Sequence, residues 1–287
     1  MARQRKIDSR EVGLEVGLLI VKFFLKTEYL HYGYFSNNLE ADIGNFKDAQ
    51  ERYTELLFSH IPEGVKTILD VGCGSGKTAQ ELIKKGYEVD CVSPSILLNE
   101  YAKNLLDGKG TVYSTKFESF ESDKKYDLVM FSESFQYIPI DESIPRALKC
   151  LNEEGYILLA DFFRRDIPGK HPIGGGHKLK KWEAKLPTFP VEVISEKDIT
   201  EEIAGTIDIV DQFSKEVLQP AWKLAFMLID DHFPILMKLV KWKYRKKLEN
   251  IENKHFTGQR NGANFARHKK YIICLLKAKD FVGTQGS

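Results

Sequence analysis

One stretch, residues 67–77, reads T-I-L-D-V-G-C-G-S-G-K and limits what the chain can fold into more than any other. Residues 65–71 are a short apolar run rich in β-branched side chains, the composition of a strand buried on both faces of a parallel sheet. Gly72, Gly74 and Gly76 follow at alternate positions, and a helical pattern starts directly after them. The order is therefore strand, tight turn, helix. A turn this sharp needs dihedrals that side chains resist, and any side chain there would hold a ligand away from the loop amides and the helix N-terminus. Asp70 stands near the strand's end and Cys73 lies inside the turn. A dinucleotide site requires G-x-G-x-x-G, and a P-loop requires four residues between its first glycine and Gly-Lys-Ser/Thr, so neither template fits.

With 287 residues, 43% of them hydrophobic and 29% charged, the chain can bury one full core and carry an appended subdomain. Lys and Arg number 42 against 41 Asp and Glu, so the net charge of +1 supplies no global field to recruit nucleic acid. Cys73, Cys91, Cys150 and Cys274 form no C-x-x-C pair and mostly fall in expected strands or helices as small apolar residues, the usage of reduced thiols in a cytoplasmic protein. The first residues lack the apolar run and cleavage site of a secretory signal, and no apolar run reaches the roughly 18 residues that span a bilayer.

D-x-G-x-G-x-G behind an apolar strand resembles the first motif of the class I S-adenosylmethionine (SAM) methyltransferases. The resemblance implies a Rossmann-like α/β fold: a seven-stranded, mostly parallel sheet with helices on both faces. It implies SAM as cofactor, with no metal, and assigns Asp70, Gly72, Cys73, Gly74 and Gly76 to it. The second strand, residues 87–92, ends at Ser93-Pro94-Ser95, where most such enzymes place an Asp or Glu on the ribose hydroxyls. Ser or Thr at this tip resembles the gamma-tocopherol, sterol and cyclopropane-synthase branch. There Ser93, with Ser95 beside it, is expected to hold the ribose, and either serine can also cap the next helix. In that branch a Tyr/Gly/His-rich segment folds over SAM, which places Tyr32 and Tyr34 of L-H-Y-G-Y-F on the cofactor. An aromatic followed by Glu lies against adenine in the same enzymes, the pattern of Phe117 and Glu118, with core packing as the other reading of Phe117.

Residues 126–131 read as the fourth strand, and the segment after it should face the crevice at the carboxyl ends of the strands. Ser132 and Glu133 are expected on the cofactor, Phe135 and Gln136 on the substrate. Cyclopropane synthases carry a bicarbonate-holding glutamate at the position of Gln136, and an amide cannot ionise, which argues against cyclopropane formation here. The fifth strand, residues 156–161, leads to a loop, residues 168–177, whose three consecutive glycines carry His177 towards the crevice. His177 is the expected general base and Tyr137 the residue that orients the acceptor, with an ordinary solvated loop histidine as the other reading. No Cys or carboxylate accompanies His171 to complete a metal ligand set.

Residues 11–25 are apolar at helical spacing and read as a helix packed on its own domain, or else as a lid or membrane-surface anchor. Residues 203–253 are helical in pattern, broken at Pro220 and Pro234, and rich in large apolar groups. A bare methyltransferase sheet has no room for them before its last strand. They read as an α-helical cap with Trp222 and Phe226 on the substrate, ending in a basic run, residues 238–247. The expected organisation is a closing segment (1–60), a SAM-binding core (61–200 with 263–279) and the cap (201–262), with a disordered tail from residue 280. The expected activity is methyl transfer to an apolar or amphipathic small molecule. The alternatives are a lipid or isoprenoid methyltransferase meeting a membrane surface, and a non-catalytic SAM-binding or interaction module.

Overall fold

The structure, a computed structural model, describes residues 9–36, 38–169 and 171–279. The charged lead before Ser9 and the tail from Asp280 lie outside these residues. Strands β1 (Thr67–Val71), β2 (Glu88–Val92), β3 (Val112–Tyr113), β4 (Tyr126–Ser132), β5 (Leu151–Arg164), β6 (Val191–Asp198) and β7 (Lys269–Ala278) form one sheet in the order β3-β2-β1-β4-β5-β7-β6. β7 runs antiparallel to both of its neighbours, and the other pairings are parallel. This is the Rossmann-like arrangement with its chain reversal between β1 and β4, where open α/β sheets leave a crevice.

Side chains alternate across the pleat, so each strand feeds two cores. Ile68, Leu128, Met130, Leu158 and Ile273 point to one face, while Leu69, Val129, Phe131, Leu159 and Ile272 point to the other. In chain order the helices are α1 (Ser9–Ile20), α2 (Phe46–Phe58), α3 (Lys77–Lys84), α4 (Ile96–Leu106), α5 (Ile140–Cys150), α6 (Leu179–Lys185), α7 (Thr200–Phe213), α8 (Gln219–His232), α9 (Pro234–His255) and α10 (Gly262–His268). α2, α3, α4, α7 and α10 cover the first face, α5 and α6 the second.

Two differences from the expected organisation follow from packing. α7 was expected in the cap, but Ile203, Ala204 and Ile207 are buried in the core beside Phe265 of α10, so it belongs to the domain. Pro220 does not break the cap either. It sits in the first turn of α8, where a missing N–H costs nothing, and the chain enters from α7 through a π-helical turn, Ser214–Leu218. The break comes at Phe233 ahead of Pro234, and α8 and α9 fold back on each other as a hairpin with most of its surface exposed.

Candidate active site

The glycine turn packs at both ends and opens in the middle. A Cβ on Gly72 would strike Ser134, and one on Gly76 would strike Ala102 of α4. Gly74 has φ of +55°, and a Cβ there would meet only Leu30, at 3.4 Å. Leu30 belongs to an extended strap laid across the carboxyl edge of the sheet. Alternation along this strap turns His31, Gly33 and Phe35 towards α2 and α7: His31 Nε2 lies 3.1 Å from Thr54 Oγ1, and the Gly33 N–H donates to Thr206 Oγ1 at 2.9 Å. Leu30, Tyr32 and Tyr34 take the other side. The strap is tied to the glycine turn by the Ser75 hydroxyl, which donates to the Glu28 carbonyl, and to the tip of β4 by the Tyr32 N–H, which donates to Glu133 Oε1 at 2.8 Å.

Glu133 is the most unusual residue of this edge. Its φ of +57° is strained for a side-chain-bearing residue, a form of strain that persists where surrounding contacts impose it. Its Oε1 accepts from the Tyr32 N–H and, at 3.1 Å, from the Tyr271 hydroxyl, which also bonds Tyr53 at 2.7 Å. Burial, with a smaller contribution from the charge of Asp161, pushes the Glu133 carboxyl up to about 8. Asp161, on β5 one residue past the partner of Ser132 at the β4 tip, is pushed by burial to about 7, although N–H groups of Gln136 and Phe162 support its ionised form. Burial, then nearby Glu133, Tyr137 and Asp161, hold the Tyr32 phenol far above its ordinary range, with Arg260 opposing them. Rings of Tyr32, Phe162, Phe265 and Tyr271 wall this cluster.

The turn fits the amino-acid end of SAM. Asp70 is buried, its Oδ2 has no partner in the structure, and burial raises it to about 7. An ammonium group would supply the missing donor and restore the ionised form. Ser93 and Ser95 stand at the tip of β2, where Ser93 Oγ accepts from the Ser95 N–H and Ser95 caps α4. Ser132 Oγ lies 3.2 Å from the Tyr53 hydroxyl. Tyr137 is exposed at the mouth. Among the described residues, no group of three or more His, Cys, Asp or Glu is placed to hold a metal.

Several expected site residues lie elsewhere, each for a packing reason. The Cys73 side chain is buried against Cys91 in the core, leaving only its backbone at the turn. Phe117 is buried against Phe120 and Phe131, which satisfies the core reading, and Glu118 lines a surface hollow with Arg146 and Lys149 of α5. Tyr34 sits farther along the strap, beneath the Lys197 ammonium. Phe135 is fully buried among Phe131, Phe163 and Trp182 on the opposite face. Gln136 braces: its amide donates to Asp161 and accepts from the Gly176 N–H. His177 is anchored through one ring nitrogen, and the neutral ring keeps its basic lone pair on Nδ1. Its Nε2 faces the carbonyl oxygens of Phe135 and Ile138, at 3.1 and 2.9 Å, so that nitrogen carries the proton and donates it. Two of the glycines before it serve close packing, since a Cβ at Gly175 or Gly176 would meet Gln136 or Phe162, whereas Gly174 faces open space. Trp222 and Phe226 stack on each other at 4.6 Å, and Trp222 lines a hollow of about 250 Å³ between α8 and the end of α9.

A methyltransferase domain family matches residues 44–204, more than half of the chain. The chain belongs to that family. It is a SAM-dependent methyltransferase, and the non-catalytic reading is set aside. Ajmaline N-methyltransferase of Rauvolfia serpentina is 24% identical over 213 residues, 62% of this chain and 72% of that protein. Other curated methyltransferases are matched over about half of their length. Among solved structures, the fold is shared with geranyl diphosphate C-methyltransferase from Streptomyces coelicolor A3(2), solved with S-adenosylhomocysteine, at 12% identity and a TM-score of 0.64, covering 96% of this chain and 99% of that one. It is shared equally with the cyclopropane synthase MmaA2 of Mycobacterium tuberculosis, at 16% identity and a TM-score of 0.64 over 96% of this chain and 100% of that one.

Asp161, Tyr271 and Tyr53 lie in the cluster around Glu133, where no sequence expectation put them. Asp161 had a usable signal, a lone carboxylate in an apolar strand. Tyr271 opens β7, and only the antiparallel direction of that strand brings its first residues to the carboxyl edge of the others.

Proposed function

We propose that the enzyme methylates an apolar or amphipathic small molecule seated against the tips of β4 and β5, with Glu133 as the proton acceptor. The observation that carries this reading is the strained, buried Glu133 carboxyl held between Tyr32 and Tyr271. When bound, SAM supplies an electrophilic methyl group on a sulfonium. Asp70, the Gly72–Gly76 turn, Ser132 and Ser93 hold the cofactor, and the strap from Leu30 to Tyr32 excludes water from it.

Two acids in one desolvated cluster divide the labour. Asp161 accepts from three N–H donors, so it carries the charge first and Glu133 keeps its proton longer. A carboxyl titrating at about 8 is a far stronger base than an ordinary glutamate once ionised, and it suits the removal of a proton from an oxygen or nitrogen acceptor. The Tyr32 and Tyr271 bonds both go to Oε1, which leaves Oε2 for the acceptor. Tyr137 orients the acceptor at the mouth, and the aromatic walls favour apolar bodies. Four free, buried cysteines support a reducing, cytoplasmic setting.

The test is turnover with labelled SAM over a panel of amphipathic phenols, amines and alkenes, each across pH. The sign follows from Glu133: the base form accumulates as its proton leaves, so kcat rises with pH and levels above about 8. A flat profile on every accepted phenol or amine, or activity confined to highly polar acceptors, contradicts the reading.

A further inference from the structure

We propose that the outer face of α9 docks the enzyme on an anionic lipid bilayer. α9 has two apolar faces. On the inner one Met237 is only 3% exposed. On the other side Ile235, Leu239 and Trp242, spaced i, i+4, i+7, are 77%, 57% and 80% exposed. At about 100° per residue these three fall within one narrow sector, roughly opposite Met237. Lys238 and Lys243 border that sector and Lys246 continues it. Between residues 238 and 247, six of ten side chains are cationic: Lys238, Lys241, Lys243, Arg245, Lys246 and Lys247. Of the hairpin's four acids, Asp230 is paired with Lys241 and Glu249 with Arg245, Asp231 sits at the turn beside His232, and Glu252 lines the hollow beside Trp222. Phe233 at the turn and Met227 and Leu228 of α8 are exposed as well.

A bilayer interface satisfies each of these features at once. The apolar stripe enters the boundary between headgroups and acyl chains, Trp242 takes the depth that tryptophans favour, and the lysine stems lie along the stripe while their ammonium groups reach lipid phosphates. The positive collar selects a negatively charged surface. It also disfavours a second copy of the chain as the occupant, because symmetric pairing would set like charges against each other. No described helix is long and apolar enough to cross a membrane, so the contact is peripheral. None of these residues touches the cofactor cluster, so docking is independent of the methyl-transfer mechanism.

The test uses the full chain, saturated with S-adenosylhomocysteine, sedimented with phosphatidylcholine vesicles with and without phosphatidylglycerol. The chain should partition onto the anionic vesicles and only weakly onto neutral ones, with a blue shift of tryptophan emission that Trp242→Phe removes. The combined variant Ile235→Ser, Leu239→Ser, Trp242→Ser should lose about tenfold or more of this partitioning, and Lys238→Glu, Lys243→Glu, Lys246→Glu a similar amount. Both variants should keep the parent's affinity for S-adenosylhomocysteine, which shows that they are folded. Equal binding to neutral vesicles, unchanged partitioning of either variant, or a parent dimer in sedimentation velocity that the apolar variant abolishes would each overturn the proposal.

Discussion

Tyr32, Phe162 and Phe265 at the carboxyl edge of the sheet are packed around two buried acids, whereas Leu224, Met227, Ile235 and Trp242 on the α8–α9 hairpin face outward with lysines beside them. Residue types overlap between the two regions, and the difference lies in what surrounds them. At the sheet edge, aromatic groups exclude water from Glu133 and Asp161, burial does the same for Asp70, and that exclusion raises the carboxyls' proton affinities. On the hairpin the apolar groups do little for the fold and remain available for an external surface. One region buries its apolar groups around ionisable ones, and the other leaves them facing solvent.

The largest expected effect is at the reactive end of this contrast. Glu133→Gln keeps the shape and the acceptor oxygen of the side chain but removes the base, so kcat should fall by about 10²- to 10⁴-fold and the rise with pH should vanish, while binding of S-adenosylhomocysteine persists. Native kcat in a folded Glu133→Gln enzyme would move the chemistry elsewhere. Next comes the core itself. Leu158 is fully buried, and Leu158→Ala should cost about 2–5 kcal/mol in denaturant unfolding. A smaller loss is expected at the ribose position: Ser93→Ala should weaken SAM binding by roughly 0.5–1.5 kcal/mol, the worth of one neutral hydrogen bond. Smallest is the hairpin, where Leu224→Ser at a 64% exposed position should shift stability by less than about 0.5 kcal/mol. A loss there comparable to that of Leu158→Ala would show that the hairpin face is covered and would dissolve the contrast.

The fold was legible because its signals are local. The β-branched run before Gly72, the glycine turn, and the alternation that fills two cores all follow from neighbouring residues, as does the tip of β2 at Ser93. The backbone course of the Gly72–Gly76 turn was legible too, whereas Glu133, expected on the cofactor, has its carboxyl bonded to the strap and to Tyr271. Side-chain direction at the tips was not legible. Phe135 and Gln136 directly follow the β4 tip, yet one turns into the opposite core and the other across to Asp161, because the short helical turn there rotates successive side chains apart. The place of His177 follows from its loop on the crevice side, but the two backbone carbonyls that anchor its Nε2 come from a distant segment that spacing does not reveal. The start of the cap shifts for a related reason, since α7 packs into the core. Apolar composition announces that a surface will be covered without saying by what, and Trp222 and Phe226 found each other.

The central claim is that the Gly72–Gly76 turn, beneath Leu30 and beside the unpartnered Asp70, holds the cofactor. Calorimetric titration of S-adenosylhomocysteine into the parent and into Gly74→Val tests it most directly. The account predicts saturable binding to the parent and none measurable to a folded Gly74→Val, whose side chain would occupy the ligand's place in a left-handed backbone that valine resists. A folded Gly74→Val protein that binds with the parent's affinity would contradict it.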